Sequence, residues 1–424
     1  MRSRRRLNLI LGAVLAAFLL LQIAIVLHSE ENKHSHHHTS PFGPEKALVI
    51  SPQKKGSILK VNSEDSHRRY TREELNHAIL HAVGAGTADP TVHHLPSWMN
   101  EYLDWHKIER SKLSMDSLNN TRILVMRCLS CDARCGGSAD RLVTISFMLY
   151  LAHQTKRLLF IYWERPASIE HFLVPSKIDW VLPEYLKASL QKECTSEKFF
   201  GTEEELVSAA TSNTTIISAR FQSASYGSDY YESERKKRDS SEPSFDDAFG
   251  AIWRATFRPS AGLLRVIQDT AAELHLFPLQ YAAVHLRGLY NVKDRSKALL
   301  EDWARNGVNC GSQIKPGGPI YFASDSKISN DFALAYGTFR STRSVVVRNS
   351  TEAPLHLDKH NSSSTSPESF YDTFVDLYLL GLSHCVAYSR GGFGRWGALL
   401  TNNHSCSFRF MYNAKRKVRC RWNG

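Results

Sequence analysis

The sequence contains no Asp-x-Asp triplet, the pair of carboxylates that usually holds Mg²⁺ or Mn²⁺ against a sugar nucleotide. It has one closely spaced cysteine cluster, Cys128, Cys131 and Cys135, but no second pair and no nearby histidine that would complete a zinc site. No nucleic-acid-binding module is recognisable either. We therefore predict a function that uses no metal ion and no nucleic-acid partner.

Positive charge is in excess, but it is not spread evenly along the chain. The formal net charge is +11, and part of it is concentrated in two runs, Arg2 to Arg6 and Lys415 to Arg421. We interpret the first run as a membrane-topology signal, and the general excess favours attraction of an anionic ligand.

An apolar segment near the N-terminus predicts a membrane anchor. Residues 9–27 are apolar except for Gln22, and about 19 helical residues span roughly 28 Å, enough to cross a bilayer core. Because arginines precede this segment, residues 1–8 are expected in the cytoplasm and the rest of the chain in the lumen. This is the topology of a single-pass type II membrane protein. A cleaved signal peptide is the alternative, although its apolar region is usually shorter.

The eight cysteines are expected to form disulfides in a luminal compartment. A zinc or iron–sulfur site at the first three is the alternative interpretation, and it lacks partner ligands. The other cysteines are Cys194, Cys310, Cys385, Cys406 and Cys420. N-glycosylation sequons agree with a luminal body, and they begin at Asn119, Asn213, Asn349, Asn361 and Asn403.

Residues 28–120 have the composition of a stem. Their first part is rich in histidine and serine and is interpreted as a solvated spacer. The capping box Thr71-Arg-Glu-Glu74 predicts a short helix, and a second helix is predicted from Trp98 to Leu113. Such a stem would hold a folded body, beginning near Arg122, away from the membrane, or would pair two copies as a homodimer.

Residues 121–258 show the pattern of a first α/β domain. A strand from Ile123 to Met126 is followed by the turn Gly136 to Arg141, a helix from Leu142 to His153, and a strand from Leu158 to Trp163. A strand–helix–strand unit of this kind implies a parallel sheet.

The rest of this domain is less regular. Thr215 to Ala219 predicts a further strand, and the polar stretch from Tyr226 to Ser244 is predicted to be a surface loop. Its basic run, Arg235 to Arg238, has an alternative interpretation as a cleavage site for a proprotein convertase. A helical stretch is interrupted at Arg258-Pro259, which we take as the domain boundary.

Residues 259–424 alternate again between strands and helices. The predicted strands are Tyr281–Arg287, Pro319–Ala323, Ser344–Val347 and Cys385–Tyr388, and the predicted helices are Ser296–Arg305, Lys327–Tyr336, Phe370–Leu382 and Gly394–Leu400. This order predicts a second Rossmann-like domain, an α/β fold class overall, and a cleft between the two domains.

Three predicted strand ends of the second domain carry polar groups. Strands of an open parallel sheet deliver their last side chains to the crevice in which ligands bind. His285 and Arg287 end the first of these strands, and Ser324 and Asp325 end the second. The third leads into Ser389-Arg-Gly-Gly-Phe393, where backbone amides at a helix start can cradle phosphate.

The chemistry of these groups complements a nucleotide diphosphate. Arg287 and Arg390 would neutralise the phosphates, since a planar guanidinium matches phosphate oxygens. Asp325 would accept hydrogen bonds from a ribose or a base. Without a metal clamp, arginine and amides must offset the charge that develops on a leaving diphosphate. Taken one at a time, each of these groups has a purely structural alternative.

The motifs, in this order, resemble the GDP-fucose-dependent fucosyltransferase superfamily, which includes protein O-fucosyltransferases, α1,6-fucosyltransferases and their plant and protist relatives. The resemblance runs from Arg122 to Leu400, and it includes the segment from Phe374 to Ser383 that leads into the third strand end. It implies a GT-B fold, GDP-fucose as the donor substrate, inversion at the sugar, and no metal or other cofactor. It also suits a luminal enzyme of the Golgi or endoplasmic reticulum membrane.

The resemblance also implies roles for individual residues. Arg287 would bind the β-phosphate and help GDP to leave. Asp140 and Glu164 are candidates for the catalytic base, and a structural role beside Arg141 or Arg165 is the alternative for each. The remaining residues predicted to bind the donor are Gly136, Gly137, Arg141, His285, Ser324, Asp325, Ser389, Arg390, Gly391, Gly392 and Phe393.

Two residues depart from the family pattern. The α1,6 subgroup has a second arginine directly after the first, where this chain has Gly288, and this argues against core α1,6 transfer to N-glycans. The first-domain loop usually has a second glycine where this chain has Ala139. Another nucleotide-sugar donor, or a glycan-binding protein without turnover, is the alternative function. The acceptor, whether a protein hydroxyl, an N-glycan or a polysaccharide, is not determined by the sequence.

Overall fold

The computed structural model describes residues 70–84, 95–130, 132, 135–192, 199–200, 202–221, 227–289, 296–314, 318–340, 343–349, 355–357, 365–401, 406–410 and 420–422. These residues belong to one compact unit of the chain, residues 63–424. The predicted cytoplasmic tail, residues 1–8, and the predicted anchor, residues 9–27, lie outside the described residues. Within the described part, no helix is both long and apolar enough to cross a membrane.

Among the described residues, two helices precede the first strand, and the first of them begins at its capping box. Helix α1 (Arg72–Ala82) starts after Thr71, whose hydroxyl accepts a hydrogen bond from the Glu74 amide at 3.1 Å. The Glu74 carboxylate accepts one from the Thr71 amide at 2.8 Å. Leu75 and Ile79 on the opposite face are buried in a hydrophobic cluster that also contains residues of both sheets.

Helix α2 (Ser97–Lys112) is bonded to the first sheet. Its buried Tyr102 hydroxyl donates to the carbonyl of Arg157 at 2.8 Å and accepts from the amide of Leu159 at 3.0 Å. The folded body therefore extends into the segment predicted as stem, residues 28–120, because the apolar faces of α1 and α2 are buried in the main core.

A parallel sheet organises the first half of the body. From Ile123 onward the described elements are β1 (Ile123–Cys128), α3 (Ser138–Leu142), α4 (Ile145–Thr155), β2 (Leu158–Trp163), β3 (Leu173–Pro175), α5 (Glu184–Lys192), β4 (Phe199–Phe200), α6 (Glu203–Thr211), β5 (Ile216–Phe221), α7 (Ser228–Arg238), α8 (Phe245–Thr256), β6 (Phe257–Pro259) and α9 (Ala261–Glu273). Strands β2, β1, β5 and β4 pair in that order, all in parallel. Strand β1 has Leu124 and Met126 in one hydrophobic cluster and Ile123 and Val125 in another. Burial of both faces explains why its sequence is a nearly continuous apolar run.

The polar stretch between β5 and α8 was predicted to be a loop, and the structure corrects this. Residues 228–238 form helix α7. Arg235 pairs with Glu232 at 2.8 Å and donates to the carbonyl of Ser240 at 2.9 Å. The basic run Arg235 to Arg238 is therefore the last turn of a helix, where positive charge is favourable for the helix dipole.

Strands β3 and β6 form a separate two-stranded antiparallel sheet. Strand β6, between α8 and α9, pairs with β3, with Arg258 opposite Val174. The hydroxyl of Ser260 then accepts from the amide of Leu263 at 3.3 Å and starts α9. The predicted interruption at Arg258-Pro259 is confirmed, and the domain boundary placed there stays a prediction.

The second sheet carries the predicted ligand-binding strand ends. Its region contains, among the described residues, β7 (Ala282–Leu286), α10 (Lys297–Ile314), β8 (Ile320–Ser324), α11 (Lys327–Arg340), β9 (Val345–Val346), α12 (Tyr371–Gly381), β10 (Cys385–Tyr388), α13 (Gly392–Leu399), β11 (Ser407–Phe410) and β12 (Cys420–Trp422). The order is β12-β11-β10-β7-β8-β9, and within this sheet only the described pair β11–β12 is antiparallel. Leu286 lies opposite Ser324, and His285 lies opposite Tyr388, so the three strands end at one edge. The predicted mixed α/β fold with parallel sheets is confirmed.

The described cysteines are all joined in disulfides, as the sequence predicts. The pairs are Cys128–Cys135, Cys310–Cys420 and Cys385–Cys406. Among the described residues, one group of potential metal ligands lies close together, and it consists of His384 with the last of these pairs. Because a disulfide sulfur is not a thiolate, that group does not have the ligands of a zinc site. Cys131 and Cys194 lie outside the described residues.

One buried histidine predicts that the protein loses stability in mild acid. Burial lowers the pKa of His106, on α2, to about 4, whereas a histidine of the unfolded chain titrates near 6.5. The unfolded state therefore binds the proton first, so this contribution to stability is complete above pH 6.5 and is lost as the pH falls toward 4. Between pH 7.5 and pH 5 it should amount to about 2 kcal/mol.

Urea unfolding at these two pH values measures the effect. The variant His106→Gln should lose about 2 kcal/mol less than the wild-type protein between pH 7.5 and pH 5. His77 is exposed on α1, and His77→Gln should keep the wild-type pH dependence. Equal losses in His106→Gln and in the wild-type protein would show that protonation of His106 does not contribute.

Candidate functional site

A cleft of about 130 Å³ opens at the edge where β7, β8 and β10 end. One side is formed by Gly136 to Arg141, the turn after β1, which we call the first-sheet turn and of which Gly137 and Asp140 line the cleft. The other side is formed by residues at and after the ends of the second-sheet strands. The predicted site residues that line it are Gly137, Asp140, His285, Arg287, Ser324, Asp325, Gly391, Gly392 and Phe393. The topology thus brings together most of the residues that the sequence singles out.

Arg287 is held at this edge by an acidic partner. Its Nη1 lies 2.9 Å from Oδ2 of Asp325, and its side chain is 25% exposed. The other oxygen, Oδ1 of Asp325, accepts from the amides of Gly288 at 2.6 Å and Leu289 at 3.2 Å. One carboxylate therefore holds both the guanidinium and the backbone turn that carries it. Asp325 acts here as a support for the arginine, in addition to any contact that it makes with a ligand.

Two buried serines connect the strand ends. The Ser324 hydroxyl donates to the carbonyl of Leu286 at 2.8 Å, which joins β8 to β7. The Ser389 hydroxyl accepts from the amide of Arg287 at 2.8 Å, which joins β10 to the same turn. Both serines were predicted to bind the ligand, and the structure shows that both also fix the position of Arg287.

The glycine turn after β10 presents the start of a helix to the cleft. Gly391 has a φ of 92° and is the N-cap of α13, a backbone conformation that side chains other than glycine rarely adopt. A Cβ on Gly394 would lie 2.6 Å from Cβ of Tyr388, so the first turn of α13 packs directly on β10. The unpaired amides and the positive end of the helix dipole favour an anion at this position. Arg390, beside this turn, is exposed.

His285 contributes a neutral imidazole. It is 5% exposed, and burial, followed by the nearby Arg287, lowers its pKa to about 3. The ring lies against Phe393, with 5.0 Å between the ring centroids. Its Nδ1 has no hydrogen-bond partner among the described residues. At neutral pH the imidazole is therefore uncharged.

The first-sheet turn is fixed from below. The Cys128–Cys135 disulfide ties its start to the end of β1. Arg141 is buried beneath the turn and donates to the carbonyls of Gly136 at 2.8 Å and Arg165 at 2.6 Å. The structure therefore gives Arg141, which was predicted to bind the donor, a supporting position, and Gly136 contacts it through its carbonyl.

The two predicted bases differ in position. Asp140 lines the cleft, is exposed, and accepts from the Gly137 amide at 2.9 Å. Glu164 accepts from the Tyr162 hydroxyl at 2.6 Å and from the Ser130 amide at 2.8 Å. Of the two carboxylates, Asp140 is the one that the described structure places at the cleft.

A buried ionic group at the back of the cleft was not predicted. Asp376, on α12, accepts from the Tyr321 hydroxyl at 2.7 Å and from Nε of Arg348 at 3.1 Å. Arg348 also pairs with Asp372 at 2.5 Å. Burial raises the pKa of Asp376, and Arg348 opposes this shift. Asp376 is the one acidic residue in the run Phe374 to Leu380 of α12, and this local pattern does not show which residues pair with it.

His356 and Thr373 also line the cleft and were not predicted. His356 lies in a short described segment, residues 355–357, that has no local pattern of apolar residues. Only the folded chain places it opposite the first-sheet turn.

No protein-family model matches the sequence, and no curated protein matches it. Among solved structures, FUT1 of Arabidopsis thaliana, a mutant in complex with GDP, matches with a TM-score of 0.51 and 10% sequence identity, over 80% of this chain and 87% of that chain. The fucosyltransferase NodZ from Bradyrhizobium matches with a TM-score of 0.45 and 14% identity, over 72% and 99% of the two chains. POFUT1 in complex with GDP matches with a TM-score of 0.34 and 9% identity, over 68% and 98%. The chain therefore shares its fold with FUT1 of Arabidopsis thaliana, in agreement with the resemblance that the motifs indicate.

Proposed function

We propose that the chain is a glycosyltransferase that moves fucose from GDP-fucose to a hydroxyl group of a glycan or protein. The observation that carries this proposal is the position of Arg287, which Asp325 holds at the end of β7 on the same cleft as the start of α13. The shared fold agrees, since the FUT1 structure holds GDP.

The donor diphosphate would lie between Arg287 and the Gly391–Phe393 turn. When the bond between the sugar and the β-phosphate breaks, its electron pair stays on GDP. The guanidinium and the amides at the start of α13 would stabilise that charge, because they are already oriented before the reaction. Attack by the acceptor from the face opposite GDP would invert the anomeric carbon. The proposal includes no metal ion, since these groups supply the positive charge.

The finer architecture that we propose is GT-B, with Rossmann-like domains at residues 121–258 and 259–424 facing each other across the cleft. Lining residues from both segments support it. We further propose a single-pass type II protein of the Golgi or endoplasmic reticulum membrane, with residues 9–27 as the anchor. The apolar run, the preceding arginines and the disulfides of the described residues support this location.

The packing around Gly288 supports an acceptor other than the N-glycan core. A Cβ at this position would lie 3.0 Å from Cβ of Ser326 and 3.2 Å from a methyl group of Leu300. The second arginine of the α1,6 subgroup therefore does not fit here unless β8 and α10 shift. The glycine that distinguishes this chain from that subgroup therefore fits the close packing of Ser326 and Leu300.

The donor is tested with the purified full-length protein in detergent. It is incubated separately with GDP-fucose, GDP-mannose and UDP-glucose, and nucleotide release and nucleotide binding are both measured. Release of GDP from GDP-fucose alone is the expected result. If nucleotide is released from only one of the other donors, the sugar of that donor replaces fucose in the proposal. If a nucleotide sugar is bound but no nucleotide is released, the protein is instead a glycan-binding protein without turnover.

Replacing Asp325 with asparagine should reduce GDP release from GDP-fucose roughly tenfold to 100-fold, because it removes a charge-assisted contact to Arg287 while keeping the side-chain size. Initial rates of GDP release measure this. Asp331→Asn is the matched control, since Asp331 is 62% exposed on α11 and pairs with Lys327 at the surface. Equal activity of Asp325→Asn and the control would show that Asp325 does not orient the arginine.

A further inference from the structure

His356 lies where the two walls of the cleft meet. A Cβ built on Gly137 would lie 3.1 Å from its Nε2 and 3.2 Å from its Cε1. The same point lies 3.5 Å from Oδ2 of Asp140. An imidazole from the second half of the chain and a carboxylate from the first half therefore lie against the same glycine, and both line the cleft.

The backbone on both sides of His356 is fixed. The carbonyl of Leu355 accepts from the Thr373 hydroxyl at 2.8 Å, which ties it to α12. Leu357 is 2% exposed and belongs to the large hydrophobic cluster. These two contacts hold the histidine at the cleft as part of the folded framework, which is a requirement for a group that takes part in a reaction.

Several other titratable groups of the cleft are held by ion pairs or hydrogen bonds, or are buried. Arg287 pairs with Asp325, and Asp376 is bonded to Arg348 and Tyr321. His285 is buried on the side of the proposed diphosphate site, next to Arg287. His356 and Asp140 face the remaining part of the cleft, on the side of the first-sheet turn. Histidine is the side chain that most often accepts a proton in general base catalysis.

We infer that His356 is the general base that receives the proton of the acceptor hydroxyl, an inference that rests on the proposed fucosyl transfer. The acceptor oxygen forms a bond to the anomeric carbon, and the bond from that carbon to the β-phosphate oxygen breaks, with its electron pair leaving on GDP. The acceptor proton passes to the imidazole, which later releases it to water. Asp140 stabilises the positive charge that the imidazole acquires, because it lies against the same glycine.

The test uses GDP-fucose with water as the acceptor, so that no glycan needs to be known. The variant His356→Gln should release GDP about 100-fold more slowly than the wild-type protein, or slower still, while its affinity for GDP stays within about twofold. His171→Gln, at an exposed position, is the matched control and should behave as the wild-type protein. Thermal unfolding of all three proteins confirms that the variants are folded.

Two further measurements separate a base from a merely structural residue. Adding imidazole to His356→Ala should restore GDP release in proportion to the concentration of neutral imidazole. The wild-type rate should rise with pH as the imidazole loses its proton, and this rise should be absent in His356→Gln. The charged groups that line the same cleft are Asp140 on α3, Asp376 on α12, Arg287 after β7 and Asp325 after β8, and they stay unchanged in both variants.

Each outcome decides the inference. A parallel loss of GDP affinity and rate in His356→Gln would make His356 a donor-binding residue and overturn its role as base. Wild-type rates in His356→Gln, or no rescue by imidazole, would overturn it as well. A wild-type protein that releases no GDP from GDP-fucose would instead refute the proposed function, and the inference with it.

Discussion

Replacing Arg287 with alanine should lower the rate of GDP release from GDP-fucose by about 100- to 1000-fold, while the protein still folds. The guanidinium lines the cleft and, in the proposed mechanism, binds the diphosphate, so it acts most strongly when charge develops on the leaving GDP. Asp325 keeps its two backbone amide partners in the variant, so the turn should persist.

Steady-state rates with GDP-fucose and titrations with GDP measure the two effects separately. The loss should appear mainly in the rate, because the interaction strengthens in the transition state. Arg287→Lys should lie between wild type and alanine, since lysine keeps the charge but lacks the planar fork. Arg305→Ala is the control, because this arginine is 43% exposed on α10 and pairs with Asp302 at the surface. Near wild-type turnover in Arg287→Ala would remove the arginine from the mechanism.

The part of the site contributed by the second sheet could be predicted from the sequence because its signals are local. Strand β7 is a run of buried residues that ends directly before Arg287, and β8 ends in the same way before Asp325. Parallel strands bring such ends to one edge, so a pattern read along the chain becomes a cluster in space. The glycines after β10 are equally local, since a positive φ at Gly391 restricts which residue can stand there.

The rest of the site could not be predicted, because its environment is made by distant segments. Asp376 is the one acidic residue in the run Phe374 to Leu380 of α12. Its partners Tyr321 and Arg348 come from β8 and from the segment after β9. His356 has no local apolar pattern, and its contact with Gly137 exists only once the two halves of the chain are packed together.

Contacts between distant segments also determine the packing of the two predicted helices that precede β1. Helices α1 and α2 carry weak amphipathic patterns, so their burial in the main core depends on surfaces that the chain supplies much later, such as the cluster shared with α9 and α12.

Helix α7 is almost entirely polar, and its ion pair between Arg235 and Glu232 follows the helical spacing of three residues. Polarity alone therefore predicted a loop where side-chain pairing stabilises a helix.

Replacing Arg157 with methionine should lower the free energy of unfolding by about 2–4 kcal/mol, because it removes a buried guanidinium that donates to several backbone carbonyl groups. Arg157 follows α4 and is fully buried. Its guanidinium donates to carbonyls at the end of α6 and the approach to β5, those of Ala210 at 2.8 Å, Ser212 at 2.9 Å and Thr214 at 2.8 Å. Burial lowers its pKa to about 10, so it remains charged at neutral pH.

Arg122 supplies the matched control, since it reaches two of the same acceptors. It donates to the carbonyls of Ala210 at 3.1 Å and Ser212 at 2.8 Å, but it is only partly buried. Arg122→Met should therefore cost about 1 kcal/mol, because Arg157 still serves both carbonyls. The double variant should lose more than the sum of the two, since only then do these carbonyls lose both donors. Urea unfolding of the four proteins measures this coupling. Additive losses would show that the two arginines stabilise the end of α6 independently, and a negligible loss in Arg157→Met would show that water replaces the guanidinium.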